Sequence, residues 1–144
     1  MAQRLACEAA GQVSGVASIA GAVDPHDCQP GAPVRFLQVH GDLDLTILYG
    51  GGKWFGEAYP AALATAGAWA RWNGCNEAKV AAQPRDLEAL LPGAETAASR
   101  WNQCPGGSTV ELWTVRGAGH APVFSTNFSK QILDYLLGEK GPGP

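Results

Sequence analysis

The sequence lacks the features that mark several common classes of protein. Its 144 residues carry a net charge of only -3 with no run of like charge, which argues against nucleic acid or an anionic membrane as a partner. No repeat recurs at a fixed period, and the short apolar stretches, interrupted by glycine, exclude a membrane-spanning helix. The amino terminus has neither a basic region nor a clean apolar region, so we expect no export signal in this chain. A small molecule or another protein is the expected partner.

Metal and cofactor motifs are also missing. The four cysteines include no Cys-x-x-Cys pair, which excludes zinc-ribbon and thioredoxin-like sites. His26 and Cys28 match no standard ligand spacing, and the glycine run 50–52 lacks the Lys-Ser/Thr of a phosphate loop. We therefore expect neither a metal nor a cofactor. Cys75 and Cys104 fall in loops, where a bridge could hold a long excursion, but four free buried thiols remain an alternative.

What is present is enough for one domain, because 46% of the residues are apolar. We assign residues 1–138 to a partial α/β domain and 139–144 to a flexible tail. Apolar spacing and glycine or proline boundaries predict the order helix, strand, strand, helix, strand, helix. The predicted elements span 2–10, 13–20, 34–40, 59–73, 109–115 and a helix capped by Ser125 or Thr126 and ended by Gly138. Residues 77–107 are predicted to be a loop-rich excursion with room for a hairpin or a short helix. This order is typical of the end of an open, mostly parallel sheet flanked by helices.

Two short motifs follow predicted strands of this sheet. His40-Gly41-Asp42-Leu43-Asp44 ends the second strand, and Gly117-Ala118-Gly119-His120 ends the third. Ligands bind such sheets beyond the carboxyl ends of the strands. Asp44 could orient the imidazole of His120, which would then act as a general base. Asp42 competes for the acid role, and a solvated loop aspartate or an ordinary loop histidine is the alternative for each residue taken alone.

The motifs and their surroundings resemble one family of enzymes. The segments that carry the resemblance are VRFLQVHGDLD at 34–44, Tyr49-Gly50-Gly51, AWARWNGC at 68–75 and VELWTVRGAGH at 110–120. They are similar to the secreted polyhydroxybutyrate depolymerase and feruloyl esterase family of α/β-hydrolase esterases. The resemblance implies an ester substrate, an extracellular or periplasmic location, Asp44 as the acid and His120 as the base. It also implies disulfides joining Cys75 to Cys104 and Cys7 to Cys28.

The nucleophile of that family has no counterpart in the sequence. No Gly-x-Ser-x-Gly occurs, and none of the serines lies on a glycine-flanked turn from strand to helix. Residues 1–7 resemble the helix that follows this turn in the family. We therefore expect a carboxy-terminal fragment, with its serine upstream of Met1 and with little or no activity alone.

Two further expectations concern the surroundings of the site. Trp54 and Tyr49 are candidate substrate contacts, because both lie near the glycine-rich loop after the Asp motif. The rival to the esterase hypothesis is a non-catalytic half-sheet module. Its exposed sheet edge would be covered by a second copy of the chain or by a complementing amino-terminal part. The sequence does not choose among polyester, feruloyl and acetyl-xylan esters.

Overall fold

A five-stranded sheet with helices on both faces forms the centre of the computed structural model, which describes residues 1–22 and 28–138. Residues 23–27, which include His26, and residues 139–144, for which a flexible tail is predicted, lie outside the described residues. The elements are α1 (Ala2–Glu8), β1 (Gly15–Ile19), β2 (Arg35–Gly41), β3 (Gly52–Trp54), β4 (Glu57–Tyr59), α2 (Ala62–Trp72), β5 (Lys79–Arg85), β6 (Thr96–Trp101), β7 (Val110–Val115) and α3 (Phe128–Leu137). All six elements predicted from the sequence are present.

The sheet is mixed, which differs from the mostly parallel sheet expected from the sequence. Its strand order is β1-β2-β7-β6-β5. The pairs β1–β2 and β2–β7 are parallel, whereas β7–β6 and β6–β5 are antiparallel. The two antiparallel strands come from the excursion at 77–107, which forms a hairpin and joins the main sheet. The hydrophobic alternation in their sequence is weak because β5 is a mostly exposed edge strand that contains Pro84, where the register is irregular.

The central strands β2 and β7 are buried on both faces, as their apolar composition predicts. On one face, Phe36 stacks on Trp69 of α2 with ring centroids 4.6 Å apart, and α1 packs into the same cluster. On the other face, Trp113 packs edge-on against Tyr135 of α3. Burial of these aromatic rings fixes the sheet between the two helical layers.

The helices differ from the local sequence pattern in two details. In α1, the apolar Leu5 is 49% exposed, while the polar Gln3 is buried and donates to Ser18 Oγ at 2.9 Å. At α3 the cap residue is Asn127, without a side-chain cap, rather than Ser125 or Thr126. Ser125 Oγ donates to the carbonyl of Asp86 instead. In both cases a tertiary hydrogen bond outweighs the local pattern.

Both disulfides implied by the family resemblance are present. Cys7 is bonded to Cys28, and Cys75 is bonded to Cys104 across 29 residues of chain that include the β5–β6 hairpin. Closing loops of this length stabilises a fold by about 3 to 4 kcal/mol each. Such bonds persist in oxidising compartments, so they are consistent with an extracellular location. In the described part of the chain, no helix is long and apolar enough to cross a membrane.

Candidate functional site

The parallel pairing of β2 and β7 creates the site. Gly41 at the end of β2 lies beside Val115 at the end of β7, so the chain leaves both strands at the same edge of the sheet. A Cβ atom at Gly41 would collide with the carbonyl oxygens of Ala118 and Gly119. Glycine at position 41 therefore allows the loop after β7 to pack directly on the loop after β2.

Asp44 and His120 meet where these loops touch. His120 Nδ1 lies 2.8 Å from Asp44 Oδ2, the Asp44 side chain is fully buried, and the His120 side chain is 43% exposed. An ionised carboxylate can only accept, so the proton of the imidazole is on Nδ1. Nε2 is then left with its lone pair, on a partly exposed ring. This is the arrangement of an oriented general base.

The Asp44 carboxylate is held in its ionised form. Oδ1 accepts hydrogen bonds from the backbone N–H groups of Thr46 at 2.8 Å and Ile47 at 2.9 Å. Burial alone would raise the pKa of Asp44, but the hydrogen bonds from His120, Ile47 and Thr46, together with the charge of His120, outweigh burial and lower the pKa. The carboxylate is therefore available to stabilise a positive charge on His120.

The geometry also separates the two candidate carboxylates. Asp42 Oδ1 accepts a hydrogen bond from Gly117 N at 2.7 Å, and Leu43 N donates to Ala118 O at 3.0 Å. Asp42 thus ties the two loops together, whereas Asp44 contacts the imidazole of His120. A solvated loop aspartate, the alternative for Asp44, does not apply because its side chain is fully buried and bonded to loop N–H groups and a histidine.

His40, for which the sequence predicts no role, is a buried neighbour of Asp44. Its Nε2 lies 2.8 Å from the carbonyl oxygen of Ile47 and 3.3 Å from Asp44 Oδ2. Both neighbours are acceptors, so Nε2 carries a proton and Nδ1 accepts from Gln38 Nε2 at 3.4 Å. His40 therefore adds a second N–H beside the oxygen that contacts His120. Its place at the start of the Asp motif was the available signal.

Glu88 supports the chain that follows His120, and nothing in the sequence pattern indicated this role. Its buried carboxylate accepts hydrogen bonds from Leu90 N and Leu91 N at 2.7 Å and from Val123 N at 3.0 Å. Ala89 N also donates to Val123 O at 2.7 Å. The hairpin excursion is thereby attached to the loop that carries His120.

The two candidate substrate contacts have different surroundings. The Tyr49 hydroxyl lies 2.8 Å from Thr114 Oγ1, and its ring meets the edge of His40, with centroids 5.6 Å apart. Tyr49 thus connects the loop after β2 to side chains of β2 and β7. Trp54 lies on the β3–β4 hairpin, half exposed, with its ring against Phe55. Its role as a substrate contact stays a prediction.

Two cavities of about 800 and 450 Å³ flank the sheet, and neither is lined by Asp44 or His120. His120 therefore lies outside both cavities.

Among the described residues, no group of three or more His, Cys, Asp or Glu side chains could hold a metal ion. Asp44 and His120 form a hydrogen-bonded carboxylate–imidazole pair at the carboxyl ends of β2 and β7.

No protein-family model matches the sequence, and no curated protein matches it.

The close approach at Gly41 predicts an effect on both stability and site geometry. In Gly41→Ala, the new methyl group must displace two backbone carbonyls, so we expect a loss of about 2 to 3 kcal/mol in the free energy of unfolding. Urea denaturation followed by tryptophan fluorescence measures this loss. Gly50→Ala is the matched control, because the space around Gly50 is open and its φ is not positive. Equal stability of the two variants would contradict the packing role of Gly41.

The lowered pKa of Asp44 predicts a pH dependence. The stability that its ionised form contributes is present in full above the ordinary value of 3.8 and is lost as pH falls through the lower pKa of the folded protein. Asp44→Asn should be less stable than the parent protein by about 2 to 4 kcal/mol at pH 7, because charge-assisted hydrogen bonds are lost. The difference should shrink below pH 3.8. Urea unfolding across this range measures it, and a difference independent of pH would exclude this linkage.

Proposed function

We propose that Asp44 and His120 are the acid and base of a serine-dependent carboxylic ester hydrolase of the α/β-hydrolase type. The nucleophilic serine belongs to a segment outside these 144 residues. The observation that carries the proposal is the 2.8 Å contact between a buried carboxylate and a partly exposed imidazole. The contact forms at the carboxyl ends of adjacent parallel strands, where ligands bind open α/β sheets.

In this mechanism His120 transfers protons and Asp44 supports its ring. His120 Nε2 takes the proton of the serine hydroxyl as its oxygen attacks the ester carbonyl, and then gives that proton to the departing alcohol. His120 next takes a proton from the water that attacks the acyl-enzyme, and returns it to the serine oxygen as the carboxylic acid leaves. Asp44 stays ionised throughout, holds the Nδ1–H tautomer and stabilises the imidazolium after each proton transfer.

The open edge of β1 offers a place for a further strand from the proposed upstream segment. Within the described part of the chain, β1 pairs only with β2, so its outer backbone groups are available to another strand. A strand added there in the parallel direction would have its carboxyl end on the same side as Asp44 and His120. A serine following that strand would face His120, and the added chain would supply walls for a substrate pocket.

The substrate class follows from the family resemblance of the two loops. Esters of hydroxyalkanoate oligomers, feruloyl groups and acetylated xylan are the candidates. The two disulfides favour a secreted enzyme, outside the cell or in the periplasm.

The first test is the coding sequence upstream of the Met1 codon, where the proposal expects an in-frame Gly-x-Ser-x-Gly. The 144-residue chain alone should not react with a fluorophosphonate, whereas the extended chain should be labelled and should hydrolyse p-nitrophenyl acetate. In the extended chain, Asp44→Asn and His120→Ala should each lower kcat by about 10⁴-fold, as expected for members of a triad.

Asp42→Asn is the matched control. It keeps a carbonyl oxygen for the N–H of Gly117, so its kcat should stay close to that of the parent protein. Turnover by the 144-residue chain that a fluorophosphonate titrates would contradict the external nucleophile. An extended enzyme unaffected by His120→Ala would contradict the assigned base.

The same open edge supports a second candidate function, a non-catalytic module that assembles through β1. Ser14 and Ala20 direct backbone groups toward β2, so alternation along the strand points the N–H of Ala17 outward. In this case the chain should form a dimer in light scattering, and Ala17→Pro should make it monomeric because proline removes that donor. A monomer that remains monomeric at high concentration would exclude assembly through this edge.

A further inference from the structure

A groove that neither Asp44 nor His120 lines lies against α3. The cavity of about 800 Å³ runs between α3 and the exposed face of β5 and β6. Its charged lining residues are Arg35, Arg85, Arg100, Lys130, Asp86 and Asp134. Cationic side chains outnumber anionic ones in this lining, although the chain as a whole carries a net charge of -3.

Two of the arginines that line this groove pair with one buried carboxylate, Glu111, whose hydrogen-bonding capacity is largely used. Glu111 Oε1 lies 2.5 Å from both Nε and Nη2 of Arg100. Glu111 Oε2 accepts from the indole N–H of Trp113 at 2.5 Å. Arg100 and Trp113 therefore occupy both oxygens at close range.

Arg85 makes only a long ion pair with the same carboxylate. Its Nη2 is 3.8 Å from Glu111 Oε2, beyond hydrogen-bonding distance, and its guanidinium lies 4.0 Å from the centre of the Trp113 ring. Nη1 reaches Gln131 Oε1 at 3.4 Å, and the buried Nε has no hydrogen-bond partner among the described residues. The side chain is only 22% exposed. A cation in this position is costly unless an anion completes its hydrogen bonds.

The electrostatics agree with this geometry. Burial lowers the pKa of Arg85, Glu111 raises it in part, and the neighbouring Arg100 lowers it further. Two guanidinium groups thus share one buried carboxylate. An additional negative charge in the groove would favour both of them.

We infer that this groove binds the oxyanion group of a small organic acid or phosphate ester, with Arg85 as its main ligand. A guanidinium offers N–H donors in a planar fork that matches the oxygens of a carboxylate or phosphate. The amide of Gln131 and the side chain of Arg35 line the same groove and add donors. The volume admits an organic body attached to the anionic group. Neither Asp44 nor His120 lines this groove, so the site is separate from the chemistry at His120 and does not depend on the proposed function.

Thermal unfolding in sodium phosphate, sodium acetate and sodium chloride at equal ionic strength tests this site. Phosphate or acetate at about 50 mM should raise Tm by about 3 °C or more above chloride. The anion that gives the larger rise identifies the chemical class. Arg85→Met should abolish the rise, whereas Arg71→Gln, an exposed arginine on the other face of the sheet, should keep it. No rise over chloride in the wild-type protein, or the same rise in Arg85→Met, would overturn the proposal.

A measurement on the wild-type protein covers the case in which Arg85→Met does not fold. In ¹H–¹⁵N spectra, the indole N–H of Trp113 and the side-chain amide of Gln131 should shift saturably with the binding anion, because both lie beside Arg85. The indole N–H of Trp69, which donates to Gln3 on the other face, should not move. Shifts spread evenly over the molecule, or absent at Trp113, would exclude the groove as the binding site.

Discussion

The parallel pairing of β2 with β7 is the constraint on which the site depends. These strands are distant in sequence, and their register brings Gly41 and Val115 side by side, so both chains leave the sheet at one edge. Glycine at position 41 lets the two loops pack directly on each other. Two hydrogen bonds then join the loops, from Gly117 N to the Asp42 carboxylate and from Leu43 N to Ala118 O. This packing places Asp44 Oδ2 2.8 Å from His120 Nδ1.

Buried carboxylates organise the loops of this chain in the same physical way. Asp44 accepts from two backbone N–H groups of its own loop, and Glu88 does the same for residues 90 and 91. Each then has an oxygen left for a partner on the chain after β7, an imidazole for Asp44 and Val123 N for Glu88. A carboxylate that is taken out of water must find donors, and loop N–H groups supply them. His120 is therefore held from both sides, by its acid and by the clamped segment that follows it.

The parts of the structure that could be predicted are those with strong local signals. Continuous apolar runs in β2 and β7, helical spacing in α3 and glycine at position 138 predicted elements that the structure contains. The short motifs placed Asp44 and His120 at one edge because parallel strands end together. The pairing of cysteines, in contrast, came only from family resemblance, since four cysteines allow more than one connectivity.

The unpredicted parts depend on partners distant in sequence. The strands β5 and β6 contain arginine, proline and small residues that show no clear alternation, and they become strands because β7 offers an edge to pair with. Gln3 is buried at a position where the helical pattern favours a polar surface, because Ser18 and Trp69 satisfy its amide. His40 and Glu88 have the same explanation, since a buried polar side chain is recognisable only when its donors and acceptors are known.

Two independent features of the fold agree with the proposal that Asp44 and His120 are one part of a larger site. The His120 ring is partly exposed, and its Nδ1 forms the hydrogen bond to Asp44. Among the described residues, β1 pairs only with β2, so the backbone groups on its other edge are available to a further strand. One added strand would satisfy the backbone of β1 and also end near the free nitrogen of His120. An ordinary loop histidine would not explain why its Nδ1 contacts a fully buried carboxylate, so the ester hydrolase hypothesis accounts for more of the structure.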